Sequence, residues 1–125
     1  SATNNNFEVM LEPLPSINIG IDLERPPTAP KNLRGEFADE QIILNWNQAD
    51  QDVEENDNFG GYLIYRSGSV DELGKAITSN LVKETTYSDS DITAGKTYYY
   101  RVRAYGGNTG RLAGELSTMV EVSTQ

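Results

Sequence analysis

Residues 96–105 read KTYYYRVRAY and carry the clearest structural signal in the chain. Successive side chains of a β-strand point to opposite faces, so an extended backbone here separates two sets of four residues. One set is largely apolar and is predicted to face a core: Tyr98, Tyr100, Val102 and Ala104. The other set mixes aromatic rings with guanidinium groups and is predicted to face outward: Tyr99, Arg101, Arg103 and Tyr105.

The stretches on either side show the same alternation in shorter runs. Residues 41–46 alternate Ile42, Leu44 and Trp46 with more polar positions, and residues 62–66 place Tyr62 and Ile64 on one face. No helical period is sustained for three turns. Short strands are also predicted at residues 7–11, 81–82 and 116–122, and a turn is predicted at Asp39 and Glu40. About seven short strands, rich in aromatic and β-branched residues and separated by turns, predict an all-β, immunoglobulin-like seven-stranded sandwich.

Composition limits the function. The chain has 125 residues, with 19 acidic and 10 basic side chains and a net charge of −9, which argues against binding to nucleic acid or anionic membranes. It has no Cys and no His, which excludes thiolate nucleophiles, zinc–sulfur sites and the commonest general base. No apolar run approaches the roughly 20 residues of a membrane-spanning helix. We therefore expect no cofactor, no nucleic-acid partner and no membrane insertion.

The N-terminal part differs from the rest of the chain. Residues 7–24 include an apolar row that alternates with polar residues: Ile17, Ile19, Ile21 and Leu23. Pro26, Pro27 and Pro30 follow and predict a stiff linker. We therefore divide the chain into an N-terminal tether with an extra strand and Pro-rich linker, residues 1–28, and a folded domain, residues 29–125. The row must be buried on its own sandwich, on another domain, or through self-association by residues 17–23.

Residues 29–124 resemble a fibronectin type III domain. The resemblance rests on four motifs in the family's order: APKNL at 29–33, LNW at 44–46, GYLIYR at 61–66 and ITAGKTYYYRV at 92–102. It implies that Trp46 is the core tryptophan and that Tyr98 is the tyrosine corner, whose hydroxyl bonds to backbone. Tyr62 is a further structural residue, on the core face of its strand. Ala94 replaces the usual proline, and the loop after Trp46 is longer than the family usually carries.

The GYLIYR sequence at residues 61–66 is similar to that of modules found in multi-domain secreted bacterial proteins, including carbohydrate-active enzymes. The resemblance therefore implies a non-catalytic accessory module of a larger secreted or cell-surface protein. It would act as a spacer, or as a docking surface for neighbouring domains or another protein.

The alternative is a glycan- or protein-binding module that uses the outward sheet face. Its candidate residues are Tyr65, Tyr99, Arg101, Arg103 and Tyr105. Flat aromatic rings beside guanidinium groups suit stacking on sugar rings or packing against a protein. The competing interpretation is ordinary cross-strand pairing on a solvated sheet face.

Two sets of carboxylates are candidates for chemistry. Asp50, Asp52 and Glu54 occupy the first, third and fifth positions of a calcium-loop spacing, but Glu55 and Gly61 stand where that motif needs Gly and Glu. The loop 47–58 is therefore predicted to be a solvated acidic loop without a specific metal. Asp89 and Asp91 are two residues apart in a predicted turn, which does not favour the two acids of a glycosidase cleft. We expect no enzymatic activity.

Overall fold

A computed structural model of the chain describes residues 23–125. These residues contain no helix. They form eight strands: β1 Lys31–Ala38, β2 Gln41–Asn47, β3 Gly61–Ser67, β4 Lys75–Ala76, β5 Thr86–Asp89, β6 Thr97–Gly106, β7 Leu112–Leu116 and β8 Val120–Ser123. Within this part of the chain no helix offers a candidate membrane span.

The strands form two antiparallel sheets. One sheet has the order β1-β2-β5, and the other has the order β4-β3-β6-β7, with β8 paired to the N-terminal half of β6. The apolar core lies between them and is built from these buried residues: Leu33, Ile42, Leu44, Trp46, Ala49, Phe59, Tyr62, Ile64, Tyr100, Val102, Ala104 and Val122. The predicted all-β sandwich is confirmed.

The turn predicted at Asp39 and Glu40 joins β1 to β2. Both residues have positive φ angles, 54° and 64°, and Ala38 pairs directly with Gln41 across the turn. Two left-handed central residues are the geometry that follows the twist of a two-residue hairpin.

The last part of the chain is not the single continuous strand predicted over residues 116–122. It is interrupted at Ser117, whose N–H donates to the Val102 carbonyl at 2.8 Å while its Oγ accepts the Val102 N–H at 2.9 Å. Ser117 thus bonds to both the N–H and the carbonyl of Val102. The strands β7 and β8 therefore pair with separate halves of β6. Thr118 is consequently exposed instead of sharing the inward face of Val122.

The strand predicted at residues 81–82 is also wrong. Val82 makes a single isolated bridge with Tyr62, and the edge position beside β3 is taken by the short strand β4. The chain from Ile77 to Thr85 otherwise runs without regular pairing.

The prediction that Pro26, Pro27 and Pro30 form a linker is wrong for this stretch. Pro27 and Pro30 are buried, and Thr28 is hydrogen-bonded to Asp50 in the loop after β2. These contacts hold the stretch on the sandwich. The predicted strand at residues 7–11 and the row from Ile17 to Ile21 lie outside the described residues, so self-association through residues 17–23 stays a prediction, as does the division after residue 28.

Candidate functional site

The outward face of β3 and β6 brings three of the predicted binding residues together. The hydroxyls of Tyr65 and Tyr105 lie 3.3 Å apart, and the guanidinium carbon of Arg103 lies 5.8 Å from the centre of the Tyr65 ring. Burial raises the pKa of Tyr65, and the contact with Tyr105 raises it further. We call Tyr65, Arg103 and Tyr105 the tyrosine patch.

The other two candidates do not join this cluster. Arg101 donates from Nη1 to the Glu72 carbonyl at 2.8 Å and from Nη2 to the Val70 carbonyl at 3.2 Å, so its cation is bonded to the loop between β3 and β4. Tyr99 lies one pair further along, between Ser67 of β3 and Glu121 of β8. The five residues share one sheet face, but only part of it forms a compact surface.

The structural residues Trp46 and Tyr62 meet in the core, Trp46 from β2 in one sheet and Tyr62 from β3 in the other. Trp46 is 2% exposed, and its ring meets Tyr62 edge-on at a centroid distance of 5.4 Å. The Tyr62 hydroxyl donates to Asp52 at 2.6 Å and accepts the Ala49 N–H at 3.0 Å. Burial, followed by the hydrogen bond to Asp52, raises the pKa of Tyr62 well above its usual range.

Tyr98 makes the contact expected of it. Its hydroxyl accepts the Thr93 N–H at 2.8 Å, which ties the turn before β6 to the strand. As expected, Tyr98 is mostly buried, and it packs against the apolar core. The guanidinium of Arg66 lies over the Tyr98 ring at 5.6 Å from its centre.

The loop 47–58 is anchored in the sandwich by buried residues in both halves, which corrects the prediction of a solvated acidic loop. Gln51 is fully buried and Asn56 is 7% exposed. Asp50 accepts hydrogen bonds from Arg25 at 2.7 Å and from the Thr28 N–H at 3.0 Å. Burial raises the pKa of Asp50, but these bonds outweigh burial and lower it overall.

The three candidate metal ligands, Asp50, Asp52 and Glu54, therefore do not converge on one site. The carboxylates of Asp50 and Asp52 are bonded to different protein donors, while Glu54 is exposed. Within residues 23–125 no group of three acidic side chains is placed to hold a metal ion. The absence of a specific calcium site stays a prediction that rests on this separation.

Sequence reasoning missed an ionic network between the two sheets. Asp89, at the end of β5, is 3% exposed and receives Arg66 Nη1 on both carboxylate oxygens, at 3.0 and 2.8 Å. The Tyr100 hydroxyl donates to the same carboxylate at 2.6 Å. Burial, then the bond to Asp89, raises the pKa of Tyr100 well above its usual range.

This network includes one of the two acids, Asp89 and Asp91, that were candidates for a glycosidase pair. Asp89 belongs to a strand, not to a turn, and its oxygens are occupied by Arg66 and Tyr100. Asp91 is exposed, with a side-chain oxygen 3.6 Å from Arg66. Both acids line one recess beside Arg66, and both approach its guanidinium. The sequence carries only a weak signal for the ion pair of Arg66 and Asp89. The two residues are 23 positions apart and come together only when the two sheets pack.

The relatives found by sequence comparison are amylopullulanases and an alpha-amylase. No protein-family model matches the chain. An amylopullulanase of Thermoanaerobacter thermohydrosulfuricus is 34% identical over 89 residues, which is 70% of this chain and 6% of the enzyme. An alpha-amylase of Niallia circulans is 32% identical over the same share of the chain, again 6% of the enzyme. The chain thus spans a small segment of these relatives.

Solved structures support the fold. A Fn3-like protein from Clostridium thermocellum superposes with a TM-score of 0.64 and 22% identity, covering 78% of this chain and 92% of that one. A pectate lyase, PelI of Erwinia chrysanthemi, matches with a TM-score of 0.55 and 20% identity over 77% of this chain and 28% of the lyase. The two sheets, the Tyr98 hydrogen bond to the turn before β6 and this likeness show that the described residues have a fibronectin type III-like fold.

Proposed function

We propose that this chain is a non-catalytic accessory module of a larger secreted, carbohydrate-active protein, in which it spaces neighbouring domains or docks with them. One observation carries the proposal: the chain matches a segment that makes up 6% of the amylopullulanase and of the alpha-amylase. A segment of that size, with the fold of a small sandwich, has the dimensions of a connecting module.

The side chains support a non-catalytic role. Among residues 23–125 the most buried carboxylate is Asp89, which is bonded to Arg66 and Tyr100, while Asp52 is bonded to Tyr62. A glycosidase acid must reach the scissile bond, and Asp89 is only 3% exposed. Secretion is part of the proposal because of the amylolytic relatives.

The test is an assay of the purified chain on pullulan and soluble starch, with release of reducing ends as the measurement. We expect no release above that of a heat-denatured sample. Variants Asp89→Asn and Asp91→Asn serve as controls for a contaminating hydrolase, because they leave contaminant activity unchanged. Activity that is lost in either variant, with the fold retained, would show that the chain is an enzyme.

A glycan- or protein-binding role is the second candidate, and the tyrosine patch favours it. Tyr65 already contacts both Tyr105 and Arg103, so a ligand would bind a surface whose side chains are held in place before binding. For a spacer, electrophoresis through gels containing pullulan or starch shows no retardation of the wild-type chain. For a glycan-binding module, retardation appears and is lost in Arg103→Ala but kept in Arg34→Ala, which removes an exposed cation from β1 in the other sheet.

A further inference from the structure

Thr28 and Asp50 exchange hydrogen bonds between two distant parts of the chain. The Thr28 N–H donates to Asp50 Oδ1 at 3.0 Å, and the Asp50 N–H donates to Thr28 Oγ1 at 3.0 Å. The second carboxylate oxygen, Oδ2, accepts Arg25 Nη2 at 2.7 Å. Both oxygens of Asp50 therefore bind the segment that precedes β1.

Gln51 binds the same segment from the interior. Its Nε2 donates to the Arg25 carbonyl at 2.8 Å, and its Oε1 accepts the Gly107 N–H at 2.7 Å. Gln51 is fully buried, so both ends of its amide need partners. The buried amide joins residue 25 to the turn that follows β6.

Pro27 completes the attachment by packing. It is buried where two glycines leave room: a Cβ on Gly106 would lie 3.2 Å from Pro27 Cγ, and a Cβ on Gly114 would collide with the Pro27 carbonyl oxygen. The backbone of residues 25–28 thus lies directly against β6 and β7.

We propose that residues 25–30, held by Asp50 and Gln51, form an orientation clamp that fixes the direction in which the preceding chain leaves the sandwich. Contacts on both sides of Pro26 and Pro27 and the restricted φ angles of these prolines remove the freedom of a linker. The role of the clamp rests on the proposed spacer function. With the clamp in place, the spacer is rigid at its N-terminal end. Leu23, the first described residue, lies beside the turn at Gly107, where a Cβ on that glycine would lie 3.5 Å from the Leu23 carbonyl oxygen.

The test uses the full chain labelled with 15N and measures backbone order parameters and amide exchange. We expect Arg25 and Thr28 to have order parameters near the ~0.85 of rigid backbone, and the Thr28 and Gly107 amides to be protected. In Asp50→Ala, the values for Arg25 and Thr28 should fall below about 0.6 while amides of β3 and β6 remain protected. Asp57→Ala is the matched control, because it removes an exposed acid from the same loop.

The clamp is overturned if wild-type Arg25 and Thr28 already have low order parameters, or if Asp50→Ala leaves them unchanged. If Asp50→Ala does not fold, Arg25→Ala and Thr28→Val each remove one clamp contact at a partly exposed position and should raise local mobility in the same residues. Order parameters that stay high in both of these variants would also overturn it. None of these readouts depends on the hydrolase assay, so the clamp and the accessory function fail separately.

Discussion

Tyr98 and Tyr100 lie two residues apart on the inward face of β6, and their hydroxyls have different partners. Tyr98 accepts a backbone N–H from Thr93, whereas Tyr100 donates to the buried carboxylate of Asp89. The first bond holds a turn on its own sheet. The second contributes to the link between the two sheets.

The Tyr98 bond gives a residue-level prediction. Tyr98→Phe removes the acceptor of the Thr93 N–H and should lower the free energy of unfolding by about 1 kcal/mol, measured by urea denaturation. Tyr99→Phe is the control, because Tyr99 projects from the opposite face of the same strand. Equal stability of Tyr98→Phe and the wild type would show that the hydroxyl adds nothing to the fold.

Residues on regular strands were predictable, and buried polar partners were not. The period of two identified Tyr62, Ile64 and Tyr100 as inward-facing because neighbouring strand residues alternate between faces. Gln51 gave no such signal, since its burial depends on Arg25 and Gly107, which are distant in sequence. The outward face was predicted as a set, but the bonding of Arg101 to the loop carbonyls of Val70 and Glu72 depends on a loop conformation that no period encodes.

Among the elements, the β1–β2 hairpin is the one whose sequence fits its geometry least well. Asp39 and Glu40 both occupy left-handed backbone conformations, which cost a residue with a Cβ roughly 1 kcal/mol or more. Asn and Gly are the residues this turn favours. The strand pairing on either side therefore holds the turn in place.

Replacing the turn by Asp39→Asn with Glu40→Gly should therefore raise the free energy of unfolding by about 1 kcal/mol. The chain supplies a matched control in Asp71 and Glu72, an exposed Asp-Glu pair with φ angles outside the left-handed region. There the same double substitution should give no gain, because Gly only adds freedom to the unfolded chain. Thermal unfolding of both variants decides the point, and an equal response would contradict the turn argument.

In the whole molecule, the pair of Arg66 and Asp89 joins the two sheets near the end of β5. The Arg66 side chain is 21% exposed and that of Asp89 is 3% exposed, so the pair is screened less than a surface ion pair. Burial lowers the pKa of Arg66, but the bond to Asp89 outweighs burial and raises it overall. A sandwich with an ionic contact between its sheets depends on both partners being present.

Asp89→Ala should accordingly destabilise the protein by about 3 kcal/mol or more, because it leaves the Arg66 cation without its buried partner. Asp91→Ala should cost less than about 1 kcal/mol, since that side chain is exposed and its backbone bonds to Asp89 and Arg66 persist. Guanidinium denaturation of both variants measures the difference. Similar losses would mean that the network is not what joins the sheets.

The packing of Pro27 on Gly114 has a consequence for solubility. β7 ends its sheet, and an edge strand offers unpaired backbone groups to any other strand that meets it. Residues 25–28 and 113–115 line a common recess of about 300 Å³, so the segment before β1 lies along this edge. Proline has no N–H to extend a ladder, so the covering segment shields the edge without becoming a new one. A fragment trimmed to begin at Ala29 would leave that edge bare and invite the stacking of copies into fibrils.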